Sequence, residues 1–257
     1  MRRPLLPLAL LTAACAAEPA RDHAAVIYGE AFIEEGIPGD AFVDGWSVRF
    51  DRFLLSLGEV TLSDAPLGDA AARFQIFDLA RPSGGAGFPV GAATLAVTAP
   101  QVGYVIGPSP DPVAGNADPA DVALMKQGNY SVYVVGRATR GADEIRFTWG
   151  FSTRTVYSDC RYDSADPIEL TIHGDHLFYD DLVSPEPDLA FDLIAAAAQG
   201  DGDVSPDDLR AVDITAEERY QVGGLTHITN LWAFLEQQTA TLGHISGEGH
   251  CEATRER

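Results

Sequence analysis

Basic charge is what this sequence has least of. Lys126 is its single lysine, and arginine supplies the other basic residues, 17 in all against 38 acidic ones, for a net charge of −21. A body this acidic repels a phosphate backbone, which excludes general nucleic-acid binding. Long apolar runs are also missing. The longest, Leu5 to Leu11, falls far short of the roughly 18 to 20 residues that cross a bilayer as a helix. Catalytic signatures are absent too. There is no G-x-S-x-G, the nearest stretch being Gly150-Phe151-Ser152-Thr153-Arg154 on a predicted strand. There is no H-E-x-x-H, no Walker loop and no dinucleotide fingerprint, and Gly84-Gly85-Ala86-Gly87 reads as a connector. A hydrolase of unusual arrangement, with Ser, Asp175 and His176, has no pattern of its own to support it.

What is present is an ordinary globular composition, 46% hydrophobic and 21% charged, which excludes a disordered chain. The N-terminus reads as an export signal over residues 1–14: Arg2 and Arg3, then the short apolar stretch, then Thr12-Ala13-Ala14. Leu11-Thr12-Ala13-Ala14-Cys15 resembles a bacterial lipobox, which implies lipidation of Cys15 and a membrane tether. Thr12 stands where that pattern prefers Leu, and ordinary cleavage near Ala17 is the alternative. Ala16 after Cys15 lacks the Asp of inner-membrane retention in this signal class, so the expected destination is the outer membrane. Loss of residues 1–14 removes two Arg, leaving 38 acidic and 15 basic residues, or −23.

Cys160 and Cys251 then remain as one pair. In an oxidising envelope a disulfide is expected, worth about 4–5 kcal/mol for a loop of about 90 residues in the chain-entropy model.

Residues 15–23 read as a lipidated linker and 24–257 as one domain. From 24 to 180 the hydrophobic period is two. It runs through Val48, Phe50, Phe53, Leu55, Leu57, Val60 and Leu62, and recurs at Phe74–Leu79 and Val102–Ile106. Ser131–Ala138 and Glu144–Phe151 flank the turn residues Arg140-Gly141-Ala142-Asp143, a hairpin signal. Thr155–Cys160 and Glu169–His173 complete seven or eight short strands, which predicts a mainly β, antiparallel sandwich. Over 186–245 the pattern turns helical. Leu189–Ala198 is Ala-rich, Asp207–Val212 is a short turn, and Ile228, Leu231, Leu235 and Leu242 form a stripe of about four turns ended by Gly243. This predicts a helical C-terminal appendix.

The histidines carry the chemistry. His23 falls in the predicted linker. His173 and His176 end an apolar strand, and a bend at Gly174 in His173-Gly174-Asp175-His176 brings both imidazoles to one ion, with Asp175 as ligand or supporting carboxylate. A Cys160–Cys251 bridge draws His250 towards the same strands, with His244 in reserve. Imidazole ligands suit copper or zinc. The competing reading is two packed structural histidines, because H-x-x-H without a fixed third ligand is a weak metal signal.

Two segments carry a resemblance. Tyr28–Pro38 with Asp44–Leu54, and Thr171–Leu182, resemble an uncharacterised family of secreted bacterial lipoproteins. The likeness implies an immunoglobulin- or prealbumin-like sandwich with a calcium-loop-like stretch near the C-terminus. The layout of a Trp-bearing strand, a Cys and a later strand is more faintly similar to the methanobactin-partner copper proteins. With Gly202 at the sixth position of the implied calcium loop, Val204 takes the eighth, and Asp201, Asp203 and Asp208 take positions five, seven and twelve. Ala197 and Gln199 stand where the first carboxylates belong, so the loop is degenerate and tight calcium binding is not expected.

The sequence therefore predicts a non-enzymatic, lipid-anchored envelope binding protein. Its expected metal set is His173, His176, His250 and Asp175, and its partner is an unidentified protein or small molecule. The alternative is a structural or adhesion sandwich with no specific metal, acting through its loops near 82–92 and 107–119, or weak calcium binding at the degenerate loop.

Overall fold

The computed structural model describes residues 19–97, 101–161 and 166–256. The export signal and Cys15 lie outside the described residues. The strands in chain order are β1 (Arg21–Gly29), β2 (Ser47–Leu62), β3 (Ala65–Pro66), β4 (Gln75–Asp78), β5 (Phe88–Leu95), β6 (Gln101–Ile106) and β7 (Val113–Ala114). They continue with β8 (Val132–Arg140), β9 (Asp143–Phe151), β10 (Arg154–Arg161), β11 (Ile168–Ile172), β12 (Asp203–Val204), β13 (Gly243–Ile245) and β14 (Glu252–Glu256). The helices are α1 (Ala31–Glu34), α2 (Gly68–Ala71), α3 (Pro119–Gly128), α4 (Asp192–Ala197), α5 (Pro206–Arg210) and α6 (Leu231–Gln238).

The protein is mainly β, built of two packed sheets. The smaller runs β13-β11-β1-β5, and the larger runs β12-β9-β8-β2-β6-β10-β14 with β3, β4 and β7 attached beside β2. Both sheets are mixed, which corrects the expected purely antiparallel pairing. β1 runs parallel to β11, with Val26 opposite Glu169 and Tyr28 opposite Thr171, and β12 runs parallel to β9. A parallel pair needs a long crossover, and here every strand of the larger sheet except β12 and β14 intervenes between β1 and β11. The apolar alternation still decides which faces are buried. Ile27, Leu170, Ile172 and Ile245 of the small sheet share one core with Phe53, Leu55, Tyr104, Trp149 and Phe151 of the large one. The outer face of β2 is covered by α3, where Leu54 and Ile76 meet Met125.

Three further expectations change. The linker is shorter than predicted, because β1 takes up residues 21–23 and His23 is buried on it. Strand β5 begins inside the loop predicted near 82–92. The C-terminal stripe is not one long helix. Asn230 caps α6 by accepting from the Ala233 N–H at 2.9 Å, a short 3-10 turn follows over Thr239–Thr241, and the chain then enters β13. The helical region is thus interleaved with strands of both sheets. Cys160 and Cys251 form the disulfide, of the kind that persists in oxidising, extracytoplasmic compartments. Among the described residues no helix is long and apolar enough to cross a membrane.

Candidate metal centre

Three elements converge at one end of the small sheet. Strand β11 ends at Ile172, so Thr171 and His173 share a face by strand alternation. Thr171 pairs directly with His244 of the antiparallel β13, which puts His244 on that face beside His173. Gly174 then turns the chain into the 3-10 turn Asp175–Phe178. Leu177 and Phe178 of that turn enter the core, and burying a side chain such as Phe178 contributes about 1.5–3 kcal/mol. Asp175 and His176 are thereby held over the strand ends. Gly174 is required by space, since a Cβ there would lie 2.5 Å from Ile33 Cγ1.

The imidazoles face one another. Ring centroids of His173 and His244 are 4.3 Å apart, those of His173 and His176 are 5.1 Å apart, and those of His176 and His244 are 5.1 Å apart. All three side chains are buried. Backbone carbonyls settle two of the tautomers, because a carbonyl can only accept. His176 Nδ1 donates to the Thr241 carbonyl at 2.7 Å, which leaves Nε2 with its lone pair. His173 Nε2 donates to the Gly247 carbonyl at 3.2 Å, which leaves Nδ1 as the free donor atom. His173 Nδ1 lies 3.3 Å from Glu30 Oε2 and 4.0 Å from Glu248 Oε1. Gly247 is itself fixed by Thr171, whose hydroxyl donates to the Gly247 carbonyl at 2.9 Å and accepts from its N–H at 3.2 Å. A ring nitrogen pinned on a carbonyl, with the other left free, is the arrangement that orients metal-ligating histidines.

Two groups of ligand atoms result, each with its members within 4.8 Å of one another: His173, Asp175 and His176, and His173, His244 and Glu248. Donors on one zinc or copper ion lie at most about 4.2 Å apart, so small side-chain rotations close either set. Buried polar atoms without a protein partner gather here as well. They include His244 Nδ1, Asp175 Oδ1 and Glu30 Oε1. Asp175 Oδ2 accepts from the Tyr179 hydroxyl at 3.3 Å.

The electrostatics follow from burial. Desolvation, reinforced by the neighbouring imidazoles, lowers His244 to about 4, and desolvation also lowers His176. Both rings are therefore neutral and able to donate a lone pair at neutral pH. Burial first, and the facing Asp175 carboxyl second, push Glu30 well above the usual carboxylate range. A hydrogen bond between these two carboxyls exists only when one carries a proton, and without it both Glu30 Oε1 and Asp175 Oδ1 are left bare. A proton or a metal cation relieves the same strain.

Of the residues expected from sequence, His173, His176 and Asp175 come together. His250 comes close but stands outside both ligand groups: it is exposed, with its ring 5.4 Å from that of His244. His244 takes the place expected of it. Glu248 and Glu30 were not anticipated. Glu248 sits in a turn between Gly247 and Gly249 that pattern alone reads as a solvated loop, and Glu30 precedes α1 with no motif around it. The carboxylates of the degenerate calcium loop are used elsewhere. Asp203 makes a two-pronged pair with Arg146 at 2.9 and 3.0 Å. Asp208 forms a capping box with Ser205 at the start of α5, and Asp201 accepts from the Asp203 N–H. The Ser205-Pro206-Asp207-Asp208 spacing is a legible capping signal.

His176, His244, His250 and Glu248 line a cleft of about 550 Å³, whose other wall includes Tyr179, Pro185, Pro187 and Leu225. Compared against protein families, curated proteins and solved structures, the chain matches none.

Proposed function

We propose that this is an exported, non-enzymatic protein that binds one transition-metal ion, copper or zinc, through His173, His176 and His244 with Asp175 as the carboxylate ligand. One observation carries the reading: buried polar atoms left without partners, His244 Nδ1 and Asp175 Oδ1, converge with two imidazoles whose tautomers are already set by backbone carbonyls. Packed structural histidines satisfy their nitrogens within the protein; His244 leaves its buried Nδ1 without a partner. Imidazole donors favour copper and zinc over calcium, which takes six to eight oxygens.

The disulfide agrees with an oxidising compartment, and the lipobox-like stretch ending at Cys15 supports a lipid anchor in the outer membrane. Replacing Cys15 with Ser is then expected to release the protein into the soluble envelope fraction.

The test is elemental analysis of the exported protein, purified without a His tag and dialysed against a weak chelator. About one equivalent of copper or zinc is expected, with loss of it in the His173→Ala, His176→Ala double variant. Full stoichiometry in that variant overturns the assignment.

A further inference from the structure

His250 and Glu248 take no part in the proposed inner site of His173, His176, His244 and Asp175, yet their position is not arbitrary. The turn that carries them is fixed on every side. Ile245 and Gly249 exchange backbone hydrogen bonds at 3.0 and 2.9 Å, Thr171 clamps Gly247, and Cys251 is tied to Cys160. Ser246 and Gly247 both adopt positive φ, +51° and +79°, which bends the tip so that Glu248 projects from it. Glu248 is 84% exposed, yet Oε1 stays 4.0 Å from His173 Nδ1.

From this turn inwards the imidazoles form an unbroken series: His250 to His244 at 5.4 Å, His244 to His173 at 4.3 Å, and His173 to His176 at 5.1 Å. The first ring is exposed and the other three are buried. The two ligand groups overlap only at His173, one of them reaching the rim through Glu248 and the other closed by Asp175. The cleft that opens onto this series has Asp181 and Glu248 among its lining residues and neither lysine nor arginine. It attracts divalent cations and repels none.

We infer that His250 and Glu248 form a loading station at the cleft mouth, which captures a hydrated divalent transition-metal ion and passes it by ligand exchange to His244 and His173, the ligands of the inner site nearest to them. Each step replaces one lone-pair donor by another, with no change in the oxidation state of the ion. The inference rests on the proposed metal site and adds a route to it. A relay has a distinctive kinetic consequence. It lowers the barrier in both directions, so its loss slows entry and exit by the same factor and leaves the dissociation constant unchanged. A permanent ligand, in contrast, chiefly slows exit, and its loss weakens binding.

The experiment is stopped-flow uptake of zinc sulfate by the full exported protein, with release measured separately against excess chelator, for the wild type and His250→Ala. The expected result is that uptake and release both slow by about tenfold, within the range of cleft-focused capture, at an unchanged stoichiometry of one. Uptake by the wild type is expected to slow as ionic strength rises, and less so in Glu248→Gln. Identical rates in His250→Ala overturn the relay, and so does a weakened affinity produced by faster release alone, which would make His250 a resident ligand. Failure of the wild type to retain zinc or copper at all is a different result, and removes the proposed function together with the route.

Discussion

The Gly243 backbone N–H donates to the Tyr157 hydroxyl at 3.2 Å, and a Cβ at Gly243 would lie 2.5 Å from Tyr104 Oη and 2.8 Å from Tyr157 Cζ. The two tyrosines are stacked at 4.6 Å on the large sheet, and they hold β13 from below. Tyr104 donates to the His244 carbonyl and Tyr157 to the Ala240 carbonyl. The position of His244 is thus set by the other sheet as much as by its own. Gly243→Ala is expected to push β13 away from the tyrosines, lowering stability by about 1–3 kcal/mol as overpacking does and weakening metal binding. Thermal melts paired with metal titrations check both; unchanged binding would mean that His244 is not positioned through this contact.

Thr171 acts on the site through Gly247. Thr171→Val keeps the shape but removes both hydrogen bonds to Gly247, and with them the anchor of the carbonyl that orients His173. Loss of such a supporting contact costs about 10–100-fold in metal affinity. Competition titration against a chelator of known affinity reads this directly.

The disulfide closes a long loop, with a sequence separation of 91. Removing both cysteines, Cys160→Ser with Cys251→Ser, is expected to cost about 2–5 kcal/mol. It also loosens the turn that carries Glu248 and His250. Denaturant midpoints measured with and without metal check the first effect, and uptake rates the second.

Stability of the metal-free protein depends on pH through two groups of opposite sign. His244 is lowered to about 4 in the fold, against about 6.5 when unfolded. Its contribution is therefore fully present above pH 6.5 and is lost as pH falls from there through 4. Glu30 is raised in the fold, so its contribution is present below the ordinary carboxylate range and is lost as pH rises above it. Glu30→Gln is expected to stabilise the metal-free protein at neutral pH, and His244→Asn to flatten the acid side of the profile. Urea midpoints from pH 4 to 8 separate the two.

Much of this was legible in the sequence. The alternation from Val48 to Leu62 and the hairpin around Gly141-Ala142 became β2, β8 and β9, because an apolar face at period two has only one way to be buried. His173-Gly174-Asp175-His176 announced a bend that brings two imidazoles together. The parallel pairing of β1 with β11 was hidden, since alternation reports which face is buried and not which strand lies alongside. His244 was masked by the helical stripe that precedes it: β13 is three residues long, too short for a period to register. β14, with the sequence Glu252-Ala253-Thr254-Arg255-Glu256, is an exposed edge strand with no apolar face at all, and only its pairing with β10 defines it. Glu30 reaches the site across the parallel pairing that the sequence did not disclose.

X-ray absorption spectroscopy of the metal-loaded protein tests the central claim most directly. The account predicts a first shell of nitrogen and oxygen at about 2.0–2.1 Å, with the outer-shell scattering of three imidazoles, reduced in His244→Asn. A shell of oxygen alone, with no imidazole signature, would contradict it.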